Sequence, residues 1–225
     1  MEQPDHWYQE LSLKFPDGTC EVLYLDMSRS GRHKPRPATA PAEWTQLSCH
    51  KCSCCTLLND IFCPAALSLE ETLLTLRSRK STEIVTASAL DSESRRTSVT
   101  WPLQEVGAAF VQLAVFSSGC PVGNQFRPMV RDLRPFATSR ELGKHLVYKH
   151  LLQHKGDAAA SAQAVTERLM PLREVFSQLH TRLQMVPLEA FQDAIPNSIV
   201  HMHAMTLHVG IMVKRLVDEI MQEMR

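Results

Sequence analysis

The sequence predicts a helix-dominated α+β fold in which two β-hairpins pack with helices and a C-terminal helical hairpin follows. Three observations lead there. Apolar and polar residues alternate in paired short stretches of the N-terminal half, as they do in half-buried strands. Apolar residues recur every three or four positions through most of the remainder, as they do on amphipathic helices. The 225 residues suffice for one sizeable core with an appendage. The junction falls at Gly156-Asp-Ala-Ala-Ala-Ser, which gives an α+β domain over 1–155 and a helical hairpin over 156–225, packed on that domain or dimerising.

The first hairpin runs from Leu11 to Leu25 and turns at Pro16-Asp17-Gly18. Cys20 lies in its second strand and reads as core. From Ser28 to Pro41 the composition shifts to Ser, Arg, Lys and Pro, which predicts a mobile loop carrying Arg29, Arg32, His33, Lys34 and Arg36. Pro64 opens a helix to about Arg79, with Leu67, Leu73, Leu74 and Leu76 as its apolar side. Thr82 to Ala89 and Arg96 to Trp101 form the second hairpin. Leu103 to Ser118 is a helix ended by Gly119.

Arg127 to Thr138, with Pro128 and Pro135, predicts an ordered loop, after which Ser139 caps a helix to about His154. His145, His150 and His154 near its end suit the helix dipole as cations. Val165, Leu169, Leu172, Phe176, Leu179 and Leu183 then form a heptad seam, with a kink or a helix start at Pro171. A second seam runs through Ile199, Met202, Thr206, Val209, Val213, Leu216 and Ile220; the two helices join between Pro187 and Pro196.

Lys and Arg number 24 and so do Asp and Glu, so the composition gives no general drive toward nucleic acid. No apolar run reaches the roughly 20 residues of a membrane helix. The polar start Met-Glu-Gln-Pro-Asp-His lacks the pattern of a secretory leader. A cytoplasmic protein is the expectation, with no membrane or nucleic-acid partner.

Seven cysteines, five of them within 49–63, point in a reducing compartment to metal or redox chemistry. Cys52-x-x-Cys55 has the spacing at which one turn directs two sulfurs at one ion, and Cys63 follows within the same dozen residues. Cys120 is the candidate fourth ligand. Cys63 and Cys120 both precede proline, which restricts them to extended geometry, and Cys63 stands at a helix start that favours its thiolate. Cys49, Cys54 and His50 are alternative ligands. Structural zinc is the leading reading, because nothing marks a second redox cofactor; an iron–sulfur cluster, or thiols with no metal, are the alternatives.

Two other groups carry candidate chemistry. His201, Met205, His208 and Met212 share one side of the last helix, either as copper or iron ligands or as the flank of the seam. Arg127, Met129 and Phe136 outline a possible partner or ligand groove. No phosphate loop, nucleophile elbow, zincin motif or calcium loop is present, and a thioredoxin-like dithiol would need a βαβ unit that the pattern lacks. The sequence thus leaves open whether the protein is an enzyme.

Several short motifs occur in a shared order: Cys52-x-x-Cys55, Cys63-Pro-Ala-Ala, Ser118-Gly-Cys-Pro, Arg127-Pro-Met, Pro135-Phe-Ala-Thr, Tyr148 to Leu152 and Asp193-Ala-Ile-Pro-Asn-Ser-Ile-Val. With them the chain resembles a bacterial family of uncharacterised proteins, a domain of unknown function, over nearly its whole length. The family pattern has a histidine where this chain has Leu133, so any role of that histidine is absent here. The resemblance supports the four-cysteine assignment and implies no activity. The functional expectation is a metal-stabilised regulatory or protein-interaction module, with a protein partner or a second copy bound through the C-terminal helices. An iron–sulfur redox or redox-sensing protein is the alternative.

Overall fold

A computed structural model describes residues 8–26, 40–91, 94–187 and 192–224. The basic segment containing Arg29 to Arg36 lies outside these residues, as does the middle of the junction before the last helix. The fold class is the predicted one: six α-helices and one antiparallel sheet among the described residues.

The two hairpins are β1 (Tyr8–Lys14) with β2 (Cys20–Asp26), and β3 (Ile84–Asp91) with β4 (Arg96–Pro102). They join edge to edge into a single sheet of order β2-β1-β3-β4. Gly18, at φ 84°, supplies the left-handed residue that the first turn needs. The register Leu11↔Leu23, Leu11↔Ala89 and Leu13↔Ala87 puts these apolar side chains on one buried face. Ser12, Thr86, Ser88, Ser98 and Thr100 fall on the other, as the period of two requires. Cys20 begins β2 on the exposed side, with its thiol 3.9 Å from Gly18 O, so it is not core.

The helices are α1 (Pro64–Thr75), α2 (Leu103–Ser117), α3 (Pro121–Val130), α4 (Ser139–Gln153), α5 (Ala158–Gln184) and α6 (Ala194–Glu223). α2 is buried nearly all round, which fits its high apolar content, and it touches the sheet, α1, α3 and α6. α6 contacts α2 and α4 as well as α5, so the two heptad seams close on the same chain's core. Every seam residue predicted in α5 and α6 is buried.

Four local expectations are corrected. Residues 121–130 form α3, so the loop predicted from Arg127 begins only after Val130. Pro121 at the first helical position favours this helix, and burial of Phe126, Met129 and Val130 outweighs the hydrogen bond lost at Pro128. α5 starts at Ala158, capped by the Asp157 carboxylate 2.9 Å from Ala160 N, and runs through Pro171 without a restart. α4 is capped by Thr138, one residue before the expected Ser139, in a reciprocal capping box with Glu141. In α1 the buried side is Ala65, Ala66, Leu69, Thr72 and Leu73, while Leu74 is exposed.

Among the described residues no single helix is long and apolar enough to cross a membrane; α2 and α3 pass that test only as a pair bent by 111°. Gly119, at φ 87°, makes that bend. Two close approaches then set the packing. A Cβ on Gly107 would fall 2.0 Å from Ser198 Oγ of α6, and one on Gly123 would fall 2.3 Å from Val115 O of α2.

Candidate metal centre

Residues 40–63, which lead into α1, have little regular structure and are held by their backbone. A 3₁₀ turn at Glu43–Thr45 is followed by an isolated antiparallel bridge between Gln46 and Phe62. Leu47 N donates to Ile61 O at 2.8 Å and Cys63 N to Thr45 O at 2.7 Å, which closes residues 47–61 into a loop. Within it, Cys55 N donates to Cys52 O at 3.1 Å, the tight turn expected of Cys-x-x-Cys.

Cys63 and Cys120 are each the N-cap of a helix, extended at φ −75° and φ −57°, and each is followed by proline at the first helical position. Their carbonyls accept the first helical bonds, from Leu67 N at 2.9 Å and Asn124 N at 2.8 Å. Both sulfurs therefore sit at the positive end of a helix. The bend at Gly119 carries Cys120 back from the end of α2 to the start of α1. As a result Cys52, Cys55, Cys63 and Cys120 all line one small cavity of about 20 Å³, together with Leu47, Leu179 and Arg182.

Two of the four, Cys52 and Cys120, are held towards the protonated thiol. Burial, and then the nearness of Cys54, Cys63 and Cys120, pushes the Cys52 thiol up to about 12. Burial also raises Cys120, although the N–H groups of Gly123 and Val122 act the other way by pointing at its sulfur. Among the described residues, no group of three or more His, Cys, Asp or Glu side chains is arranged so as to hold a metal ion. The fold thus gathers the four thiols without setting them at ligand spacing.

The alternative ligands do not line this cavity, although Cys54 is close enough to Cys52 to raise its pKa. The Cys54 thiol turns to Pro171 O at 3.9 Å and towards Glu174, and its pKa rises to about 11, through burial first and Glu174 next. Cys49 Sγ is 3.8 Å from Met185 Sδ. His50 is exposed at φ 49°.

Two residues of α5 that the sequence reading passed over hold this loop. Arg182, 1% exposed, donates through Nη1 to Trp44 O at 2.8 Å and Gln46 O at 2.5 Å, and through Nη2 to Leu47 O and His50 O at 3.5 and 3.3 Å. No carboxylate pairs with it among the described residues. Its charge is satisfied by carbonyl dipoles and faces the thiol cavity. Glu174 accepts from Ser53 N at 2.5 Å and Ser53 Oγ at 2.9 Å. Burial opposes its ionisation, but these bonds and the Cys54 thiol hold it below the usual carboxylate range. A signal for Arg182 existed: it sits three residues after Leu179 and beside Leu183, on the side of α5 that must be buried.

The other candidates do not assemble. Met129 is buried in α3, where Arg168 Nη1 approaches its sulfur at 2.9 Å, and Arg127 lies in the same helix. Phe136, at φ 60°, packs edge-on against Trp101 and lines a separate apolar cavity between the sheet and α2. Leu133 packs against the core. Met205 and Met212 also pack against the core, while His208 Nδ1 lies 2.9 Å from Ser139 Oγ, so this row flanks the α6 seam. His150 is fully buried with neither ring nitrogen partnered, and burial pushes its pKa down to about 4. It is therefore neutral, not the helix-end cation expected.

No curated protein and no solved structure matches the chain. One family matches, over residues 10–225, and the chain accordingly belongs to the family described as a domain of unknown function (DUF6901).

Proposed function

We propose that Cys52, Cys55, Cys63 and Cys120 bind one metal ion as thiolates, structural zinc being the ion, and that the protein is a metal-stabilised interaction module of a reducing, cytoplasmic compartment. The observation that carries this reading is that four cysteines from three separate segments line a single cavity. Neutral thiols gain little by meeting there, and four thiolates without a cation would repel. A divalent cation reverses that balance, since it binds only the deprotonated forms.

The surroundings favour it. A four-thiolate zinc centre carries a net charge of about −2, and Arg182 with the starts of α1 and α3 supplies the positive potential that would offset it. Cys63 and Cys120 are fixed by their helices. Ligation then requires the half-buried Cys52–Cys55 turn to close by a local movement. All seven thiols are free, and the raised Cys52 argues against an oxidation-prone dithiol, which needs a low pKa. Leu58 and Ile61, on the loop between Cys55 and Cys63, are 84% and 73% exposed; on a loop stiffened by metal they are the side chains that a protein partner would meet.

Elemental analysis of the chain purified without oxygen tests this. About one zinc per chain in a colourless protein is the result expected. A brown protein containing iron would move the site to an iron–sulfur cluster. Chain that binds neither, even when refolded with added metal, would refute the metal centre.

A further inference from the structure

The side of α5 turned away from Arg182 carries a second, unrelated arrangement. Arg173 and His180 stand seven residues apart, about two helical turns, and so share one face of α5. His203, on α6, is within electrostatic reach of both; burial lowers its pKa, and repulsion from Arg173 and His180 lowers it further. No carboxylate pairs with any of the three among the described residues.

Two donors here lack acceptors. Arg173 Nε and His180 Nδ1 are buried and have no hydrogen-bond partner among the described residues. Gln184 Nε2, an amide donor, lies 3.1 Å from His180 Nε2. The tautomer in which Nε2 accepts from that amide leaves Nδ1 to donate. Arg173 has one long bond, from Nη2 to Thr206 O at 3.4 Å. Its guanidinium lies against Gly210, where a Cβ would fall 1.7 Å from Nη2 and 3.0 Å from Cζ and so displace it. A positive group has thus been given a seat in α6 without an anion to pair with.

We propose that the contact between α5 and α6 at these residues binds an oxyanion, a phosphoryl or carboxylate group, paired with Arg173, accepting from Arg173 Nε and His180 Nδ1, and charge-compensated by His203. A planar guanidinium holds such a group through paired donors. An anion beside Arg173 also offsets the repulsion that lowers the pKa of His203, so His203 takes up a proton more readily on binding. The site is independent of the thiol cavity, which lies on the other side of α5.

Imidazole NMR signals of the full chain, titrated with inorganic phosphate and separately with succinate, test the proposal against sodium chloride of equal ionic strength. Saturable shifts of His180 and His203 are expected with at least one probe, and which probe binds identifies phosphoryl or carboxylate chemistry. Binding should weaken about ten-fold or more in Arg173→Gln. Gly210→Ala, which keeps the charge but removes the seat, should weaken it likewise. The buried His150 signal reports that each variant is folded. Shifts that merely follow chloride, or saturation unchanged in both variants, would overturn the site.

Discussion

His150 couples the stability of the fold to pH. Its ring is neutral in the core, with a pKa of about 4 against an ordinary value of 6.5, lowered first by burial and then by the nearby Arg168 and His154. The unfolded chain therefore binds the extra proton first. The stabilisation is complete above about pH 6.5 and is lost as pH falls towards 4, by about 3 kcal/mol. Urea unfolding at a series of pH values should show that slope in the native chain and lose most of it in His150→Leu; an unchanged slope would put the acid sensitivity elsewhere. Arg182 calls for a different substitution. Arg182→Met keeps the stem but strands four carbonyls, those of Trp44 and Leu47 in buried bonds, with an expected loss of about 3–5 kcal/mol. Arg182→Lys, which keeps the charge without the fork, should fall between Met and the native residue. Equal stability of Arg182→Met would mean that the loop is held without the guanidinium. The role of His150 was not legible, because a histidine near a helix end has the same sequence signal whether its side chain is buried or solvated, whereas the place of Arg182 beside Leu179 and Leu183 did mark it for burial. The thiols were legible, because Cys-x-x-Cys spacing and Cys-Pro pairs carry local geometry.

At the scale of elements, α3 decides where Cys120 stands. Gly123 lets the first turn of α3 lie against the carbonyl end of α2, and a Cβ there meets backbone, which cannot step aside as a flexible side chain does. Gly123→Ala should cost about 1–3 kcal/mol and also weaken metal binding, since the shift moves the α3 start that carries Cys120. Loss of stability with full metal affinity would separate Cys120 from the site. The long elements were legible to within a few residues, because alternation and heptad spacing are set by burial on one face. α3 was not: Pro128 reads as a breaker, and only the contacts of Phe126, Met129 and Val130 with the rest of the core outweigh it. The joining of the hairpins into one sheet was equally hidden, since pairing β1 with β3 links residues some 75 positions apart.

At the scale of the whole molecule, the stripes of α5 and α6 are spent on the chain's own core, against α2 and α4. On α6 this leaves Val200, Leu207 and Ile211 as exposed large apolar side chains along the helix. Three residues fall well short of the roughly 1,200 Å² that a stable interface buries. Sedimentation at micromolar concentrations should therefore give a monomer; a dimer that persists on dilution would place that stripe in an interface. The thiol cavity is where the irregular loop, the starts of α1 and α3, and α5 meet, so a metal bound there joins parts of the fold distant in sequence. Cobalt(II) added to metal-free chain tests that claim most directly, because it takes zinc's tetrahedral geometry and reports thiolate ligation by its absorption. A saturable thiolate-to-cobalt band at one equivalent, displaced by zinc and weakened by serine at any of Cys52, Cys55, Cys63 or Cys120 but not at Cys49 or Cys54, is the expected result. No such band, or one that survives Cys120→Ser unchanged, would contradict it.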